Sequence, residues 1–238
     1  MKLYDRNPLY TQLADKIAVR DYVQEKIGDE YLVPLLGVWD SVDEIDFSKL
    51  PERFVLKCTH DSESAVICKS KETLDIKAAK NKLNKALNTN FYYYNREWVY
   101  KDIVPRIIAE VYLEDSIDKE LKDYKFFCFD GIPRAMFIAT GRAIHETKFD
   151  FFDMDFNHLD FTQHYPNSDK PIRKPLSFDL MKQLAARLSE GLKQVRVDFY
   201  EVDGKVYFGE MTFFHHGGTT PFEPEMWDYT FGEWLRLS

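Results

Sequence analysis

Asp198 and Glu210 are two carboxylates in strand-like sequence, RVDFYEVDGKVYFGEMTFF, on either side of an Asp203-Gly204 turn. Arg196 precedes the first by two residues, and Thr212 follows the second by two. Side chains alternate across a strand, so Arg196 shares a face with Asp198, and Glu210 with Thr212. Loop length decides whether the two pairs meet. A two-residue turn sets residue 198 opposite 209, and the carboxylates then face opposite sides. A three-residue loop, Val202-Asp203-Gly204, with Gly204 in the left-handed bulge position, pairs 198 with 208 and 196 with 210. All four side chains then share one face. Two carboxylates there suit Mg²⁺, which takes few protein ligands and completes its shell with phosphate oxygens. The arginine suits a developing negative charge. The same spacing also describes a solvated hairpin with an Arg–Glu cross-strand pair, and spacing alone leaves both readings open.

Other residues carry chemistry more weakly. Lys57 closes the apolar run FVLKC and leads into THDSES; a lysine before a small-residue loop suits a nucleotide phosphate, or simply reaches water. Asp153-Met154-Asp155 is a D-x-D at the end of an apolar run, as metal-dependent sugar-nucleotide transferases use, and equally a pair of acids on an edge strand. His215 and His216 are adjacent, so on a strand they point opposite ways and do not readily share an ion. His60 lies in the loop after Lys57, beside a phosphate or in water. Tyr92-Tyr93-Tyr94 and the tail's Trp227, Tyr229, Phe231 and Trp234 read as packing residues ahead of sugar platforms. The lysines from Lys77 to Lys85 read as a solvated helix face.

These residues sit in a chain of 238, enough for one large domain or two small lobes. Hydrophobic residues make up 45%, which supports a core and argues against wholesale disorder. The net charge of -8 argues against nucleic acid as the main partner. Cys58, Cys68 and Cys128 form no C-x-x-C pair, so they read as buried free thiols of a reducing cytoplasm. No apolar run approaches the ~20 residues of a membrane helix, and the first residues lack a signal-peptide core.

The elements follow from periodicity. Residues 15–27, 74–87 and 178–193 read as amphipathic helices. Residues 31–38, 54–58, 66–68, 107–113 and 149–156 read as strands, and 123–140 as a hairpin turning at Asp130-Gly131. Strands joined mainly by hairpins, with a few helices, make an α+β pattern. No G-x-G-x-x-G or Walker A sequence is present. Two lobes are expected, 1–110 and 111–238, parting near Glu110 to Glu114.

In that order, LADKIAVRDYV, FVLKCTHDSES, PRIIAEVYLED, DYKFFCFDG, ETKFDFFDMDFNH, VRVDFYEVDGKVYFGEMTFF and PFEPEMWDYTFGEWL resemble the ATP-grasp superfamily, and more closely its TupA-like branch. The resemblance implies two α+β lobes clamping ATP. By it, Lys16 looks like the first nucleotide-contacting lysine and Lys57 the second, aimed at the α- and β-phosphates, with Ser62 and Ser64 as hydroxyl donors. Glu110, Val111, Tyr112 and Leu113 look like the hinge whose backbone reads adenine, and Asp123 like the ribose acceptor. Asp198 and Glu210 look like the Mg²⁺ ligands, with Thr212 where many relatives have asparagine. Arg196 is similar to the arginine that stabilises the transferring phosphoryl group, and Lys125 and Arg142 are implied as phosphate or carboxylate contacts. The implied reaction joins a carboxylate to an amine through an acyl phosphate. A uronic-acid sugar and an amino acid are the implied substrates, in cell-surface polymer synthesis with cell-envelope biosynthetic partners. The chain departs from the pattern in two places. The loop after Lys57 has no glycine and carries Asp61 and Glu63. Only 15 residues precede Lys16, so an acceptor-binding part is expected to be missing, truncated or supplied by a partner. A metal-dependent glycosyltransferase and a non-catalytic nucleotide-binding protein are the alternatives.

Overall fold

Phe54-Val55-Leu56-Lys57-Cys58 alternates between buried and half-buried residues, as a strand with one face on a core does. The computed structural model describes residues 1–116, 121–141 and 146–237, and this strand is one of fifteen α-helices and strands among the described residues. In chain order these are α1 (Leu9–Ala14), α2 (Val19–Ile27), β1 (Leu35–Trp39), β2 (Phe54–Cys58), β3 (Val66–Cys68), α3 (Ile76–Leu87), α4 (Tyr92–Asn95), β4 (Ile107–Val111), β5 (Asp123–Phe129), β6 (Ile132–Thr140), β7 (Lys148–Phe152), α5 (Phe178–Ser189), β8 (Gln194–Val202), β9 (Lys205–Thr212) and α6 (Met226–Trp234). The chain divides into two compact units, Met1–Tyr22 with Leu32–Leu113 and Val23–Tyr31 with Glu114–Ser238.

The first unit is built on a four-stranded antiparallel sheet in the order β1-β4-β2-β3. Asp75 caps α3 by accepting the Ala78 N–H at 2.8 Å, which starts the helix two residues later than its apolar period suggests. Leu83 of α3 is buried against Phe54, Leu56, Cys58 and Ile107 of the sheet.

The second unit carries a five-stranded antiparallel sheet in the order β7-β6-β5-β8-β9. One face packs on α5, where Phe178 meets Phe126 at 6.0 Å between ring centroids, and Phe126 meets Phe199 at the same distance. The other face is divided. Over β5 to β7 it is aromatic: Phe127, Phe129, Phe137, Phe149 and Phe151 form a cluster closed by Phe161 and by Phe231 of α6. Over β5, β8 and β9 it carries charge. The segment forming α6 reads from its composition as an aromatic, acidic tail; it is a helix because Phe231, Trp227 and Trp234 all find partners in that cluster. No helix among the described residues is long and apolar enough to cross a membrane.

Candidate active site

The hairpin of β8 and β9 brings Arg196, Asp198, Glu210 and Thr212 to one face, by a different route from the expected three-residue loop. The turn has two residues, with Val202 paired to Lys205. Asp203 and Gly204 both have positive φ, 51° and 78°, as a type I′ turn requires. Pairing runs undisturbed from Val202 to Phe199, which faces Phe208; then Gly209 is passed over, and Asp198 faces Glu210 and Arg196 faces Thr212. This one-residue bulge reverses which side β9 presents beyond it. Glycine stands there for a steric reason: an added Cβ would lie 3.1 Å from the Asp198 carbonyl oxygen.

The four side chains are joined by charge-assisted hydrogen bonds. Arg196 grips Asp198 in a two-pronged contact, Nε to Oδ1 and Nη2 to Oδ2, both at 2.7 Å. Its Nη2 also donates to Glu210 Oε1 and to Thr212 Oγ1, each at 2.9 Å. Thr212 donates to Glu210 Oε1 at 3.0 Å. From β5, directly opposite Asp198, Lys125 donates to Asp198 and lies 3.2 Å from Asp123. Burial lowers the Lys125 ammonium below its ordinary value, with Asp198 pulling the other way. Three carboxylates thus meet two cations in a half-closed setting. Among the described residues no group of three or more His, Cys, Asp or Glu side chains is arranged to hold a metal by itself. The donors on offer are hard oxygens on one face with a negative balance. That set fits Mg²⁺ drawing the rest of its shell from phosphate and water.

His215 completes the cluster. Arg196 Nη1 lies 2.5 Å from His215 Nδ1, and the imidazole sits against the rings of Phe127 and Phe137 at 5.2 and 5.3 Å. Its neighbour His216 is 4.2 Å away, between centroids, and His164 lies 4.8 Å from His216. Burial, then the Arg196 charge, pushes His215 well below the usual imidazole range. Burial, helped by His164, brings His216 down to about 4. The two histidines lie on a short helical turn after β9, with His216 in a left-handed conformation at φ 48°, so the strand alternation expected for them does not apply.

The residues assigned to the first unit form two groups. Lys57 on β2 pairs with Glu110 on β4, Nζ to Oε2 at 2.6 Å, and Arg20 lies 3.7 Å from the other oxygen. Val55 is the residue opposite Glu110 across the sheet, so Lys57 reaches it along the same face, two positions on. Arg20 carries no sequence signal beyond its helix. The loop after Lys57 is held from within. Lys16 donates to the Asp61 carbonyl. Ser64 Oγ accepts the Cys58 N–H at 2.7 Å, and its own proton goes to Asp61 Oδ1 at 2.6 Å. His60 is buried, with Nε2 3.1 Å from the carbonyls of both Ala86 and Thr89 at the end of α3. Asp61 is therefore turned inward as a loop fastener, while Ser62 and Glu63 are exposed. Tyr112 and Leu113 follow β4, half-buried; Tyr112 has the Arg53 guanidinium 5.1 Å from its ring. Arg142 lies outside the described residues. Asp153 of the D-x-D accepts N–H groups from Asp155 and Asn157 at 2.9 and 2.8 Å and the Asn157 amide at 2.9 Å. It closes its own turn.

A family model described as TupA-like ATPgrasp matches residues 1–236. No curated protein matches. Among solved structures, the chain is similar to an L-amino acid ligase from Bacillus licheniformis, at 12% identity and a TM-score of 0.52, over 90% of this chain and 44% of that one. It is also similar to D-alanine–D-alanine ligase from Bacillus anthracis, at 17% identity and a TM-score of 0.46, over 84% and 56%. A third is the ATP-grasp ligase PsnB complexed with a phosphomimetic variant of its minimal precursor, Mg and ADP, at 10% identity and a TM-score of 0.49, over 86% and 51%. The chain thus spans less than two-thirds of the length of each of these structures. The likeness to the L-amino acid ligase shows a shared fold.

Proposed function

The chain belongs to the TupA-like ATP-grasp family, and on that premise we propose that it is an ATP- and Mg²⁺-dependent carboxylate–amine ligase. We assign it the attachment of an amino acid to a sugar acid in cell-surface polysaccharide synthesis, in the cytoplasm and beside cell-envelope biosynthetic partners. The observation that carries the reading is the gathering of Arg196, Asp198, Glu210 and Thr212 on one sheet face by the bulge at Gly209.

Each residue then has a task set by its chemistry. Asp198 and Glu210, with Thr212 beside them, would hold Mg²⁺, whose charge offsets that of the phosphates it joins. Arg196 has N–H groups aimed across the same face, where negative charge grows as the phosphoryl group moves to the substrate carboxylate. Lys125 adds a second cation, restrained by Asp123 and Asp198; Arg142 is assigned beside it. Lys16 and Lys57 are the phosphate contacts, with Ser62 as the hydroxyl of that loop left exposed. Ser64 serves the loop's own shape. Glu110, Tyr112 and Leu113 are assigned to adenine and Asp123 to ribose. The amine then displaces phosphate from the acyl phosphate. Residues 1–110 supply the phosphate lysines in this reading, and 111–238 the metal-binding hairpin.

The test is calorimetric titration of a non-hydrolysable ATP analogue with Mg²⁺ into the native chain and into Glu210→Ala. The reading expects binding by the native chain, weakened at least ~10-fold by loss of a metal ligand. Equal affinity in the two proteins removes Glu210 from the site, and no binding by the native chain removes ATP. Where binding holds, a screen of uronic acids with amino acids for ADP release identifies the substrates.

A further inference from the structure

His215 Nδ1 lies 2.5 Å from Arg196 Nη1. A guanidinium nitrogen has only protons to give, so Nδ1 must be the acceptor and carry no proton. The ring is enclosed by Phe127 and Phe137, surroundings that disfavour a second positive charge beside Arg196. A neutral imidazole has one N–H, and here it falls on Nε2. That atom is buried and has no hydrogen-bond partner among the described residues. A buried orphan donor is unfavourable, so packing does not explain a histidine here: phenylalanine would fill the same aromatic pocket with no orphan N–H of its own, and would lose only the acceptor for Arg196 Nη1. What the histidine alone supplies is the acceptor.

We propose that His215 is a positioning residue that fixes the Arg196 guanidinium plane. Asp198 and Glu210 restrain the Nε and Nη2 side of the fork. His215 restrains Nη1, on the other edge, through a neutral acceptor that adds no competing charge. A carboxylate in its place would neutralise the arginine; an amide would serve. The inference that this posture serves phosphoryl transfer rests on the ligase reading above, while the posture itself does not.

The test uses the full chain at neutral pH and three proteins: native, His215→Phe and His215→Asn. Long-range ¹H–¹⁵N correlation of the native protein is expected to show the His215 proton on Nε2 alone; a proton on Nδ1, or on both nitrogens, overturns the proposal. Solvent exchange of the Arg196 Nη1 protons is expected to quicken about ten-fold in His215→Phe, as loss of their charge-assisted hydrogen bond implies. It should return to near the native rate in His215→Asn, whose amide oxygen restores an acceptor. The thermal midpoint of His215→Phe is expected near native, since the orphan N–H and the acceptor for Arg196 Nη1 are lost together. A lowered midpoint with unchanged Arg196 exchange would make the ring a packing residue and refute the proposal. With Mg²⁺-ATP as probe, the hydrolysis kcat should fall about ten-fold in His215→Phe with KM little changed, and recover in His215→Asn. If the native chain neither binds nor turns over Mg²⁺-ATP, the ligase reading fails, and the tautomer and exchange data still decide the role of His215.

Discussion

Glu110 is the acid that Lys57 and Arg20 share, and neither cation stands in open water. Glu110→Gln leaves two half-buried positive charges facing each other. It is expected to lower stability by about 2 kcal/mol, below the full cost of breaking a buried pair because both partners keep some solvent. Urea unfolding of the variant measures it. Lys57 itself was legible as the end of a strand leading into a polar loop. Its partner was not, because sequence gives no distance between strands that join across others. The histidines make a prediction in pH. His215 and His216 are held neutral in the fold, whereas in the unfolded chain each takes a proton below about 6.5. The unfolded state therefore binds more protons as the pH falls, and stability is lost on the acid side. For His216 the window runs from about 6.5 down to about 4; for His215 it opens at about 6.5 and runs downward from there. Thermal midpoints measured across that range are expected to fall less in His216→Gln than in the native chain.

The β8–β9 hairpin shows where element-level reading succeeds and where it stops. The turn residues, the flanking strands and the facing of Arg196 with Asp198 and of Glu210 with Thr212 on each strand were readable from alternation and an Asp-Gly pair. The register was not, because two-residue turns and bulges are separate choices. Gly209 sits two residues beyond Tyr207, in sequence that gives no sign of its close approach to the Asp198 carbonyl. Gly209→Ala should push that carbonyl by a few tenths of an ångström or restore the plain register, which would turn Glu210 away. We expect a modest loss of stability, about 1 kcal/mol, with a disproportionate loss of Mg²⁺-dependent nucleotide affinity. Unfolding and calorimetry on one preparation separate the two. Element boundaries elsewhere depart from the apolar periodicity for local reasons. Residues 15–18 form turns ahead of α2 because Asp15 folds back to accept the Ile17 N–H. The stretch after Phe152 leaves the sheet because Asp153 closes its own loop. The α+β class does not depend on these boundaries, since it follows from hairpin connectivity and not from where a helix begins.

At the scale of the whole molecule, a ligand that binds only the folded chain must raise its stability. At a hundred times its dissociation constant, an ATP analogue with Mg²⁺ is expected to add about 2.7 kcal/mol. A thermal shift that disappears on chelation of the metal would bear this out; a shift indifferent to the metal would count against Asp198 and Glu210 as its ligands. The size of that shift carries a further meaning. In the second unit's charged face, Asp198 already has Arg196 and Lys125, and Glu210 already has Arg196 and Thr212. A triphosphate and its cation would enter by exchange: each new contact displaces one that the protein makes with itself. Ionic bonds are swapped and not simply added. Binding heat should accordingly be small relative to the charge involved, and affinity less sensitive to salt than for a phosphate caught on exposed lysines.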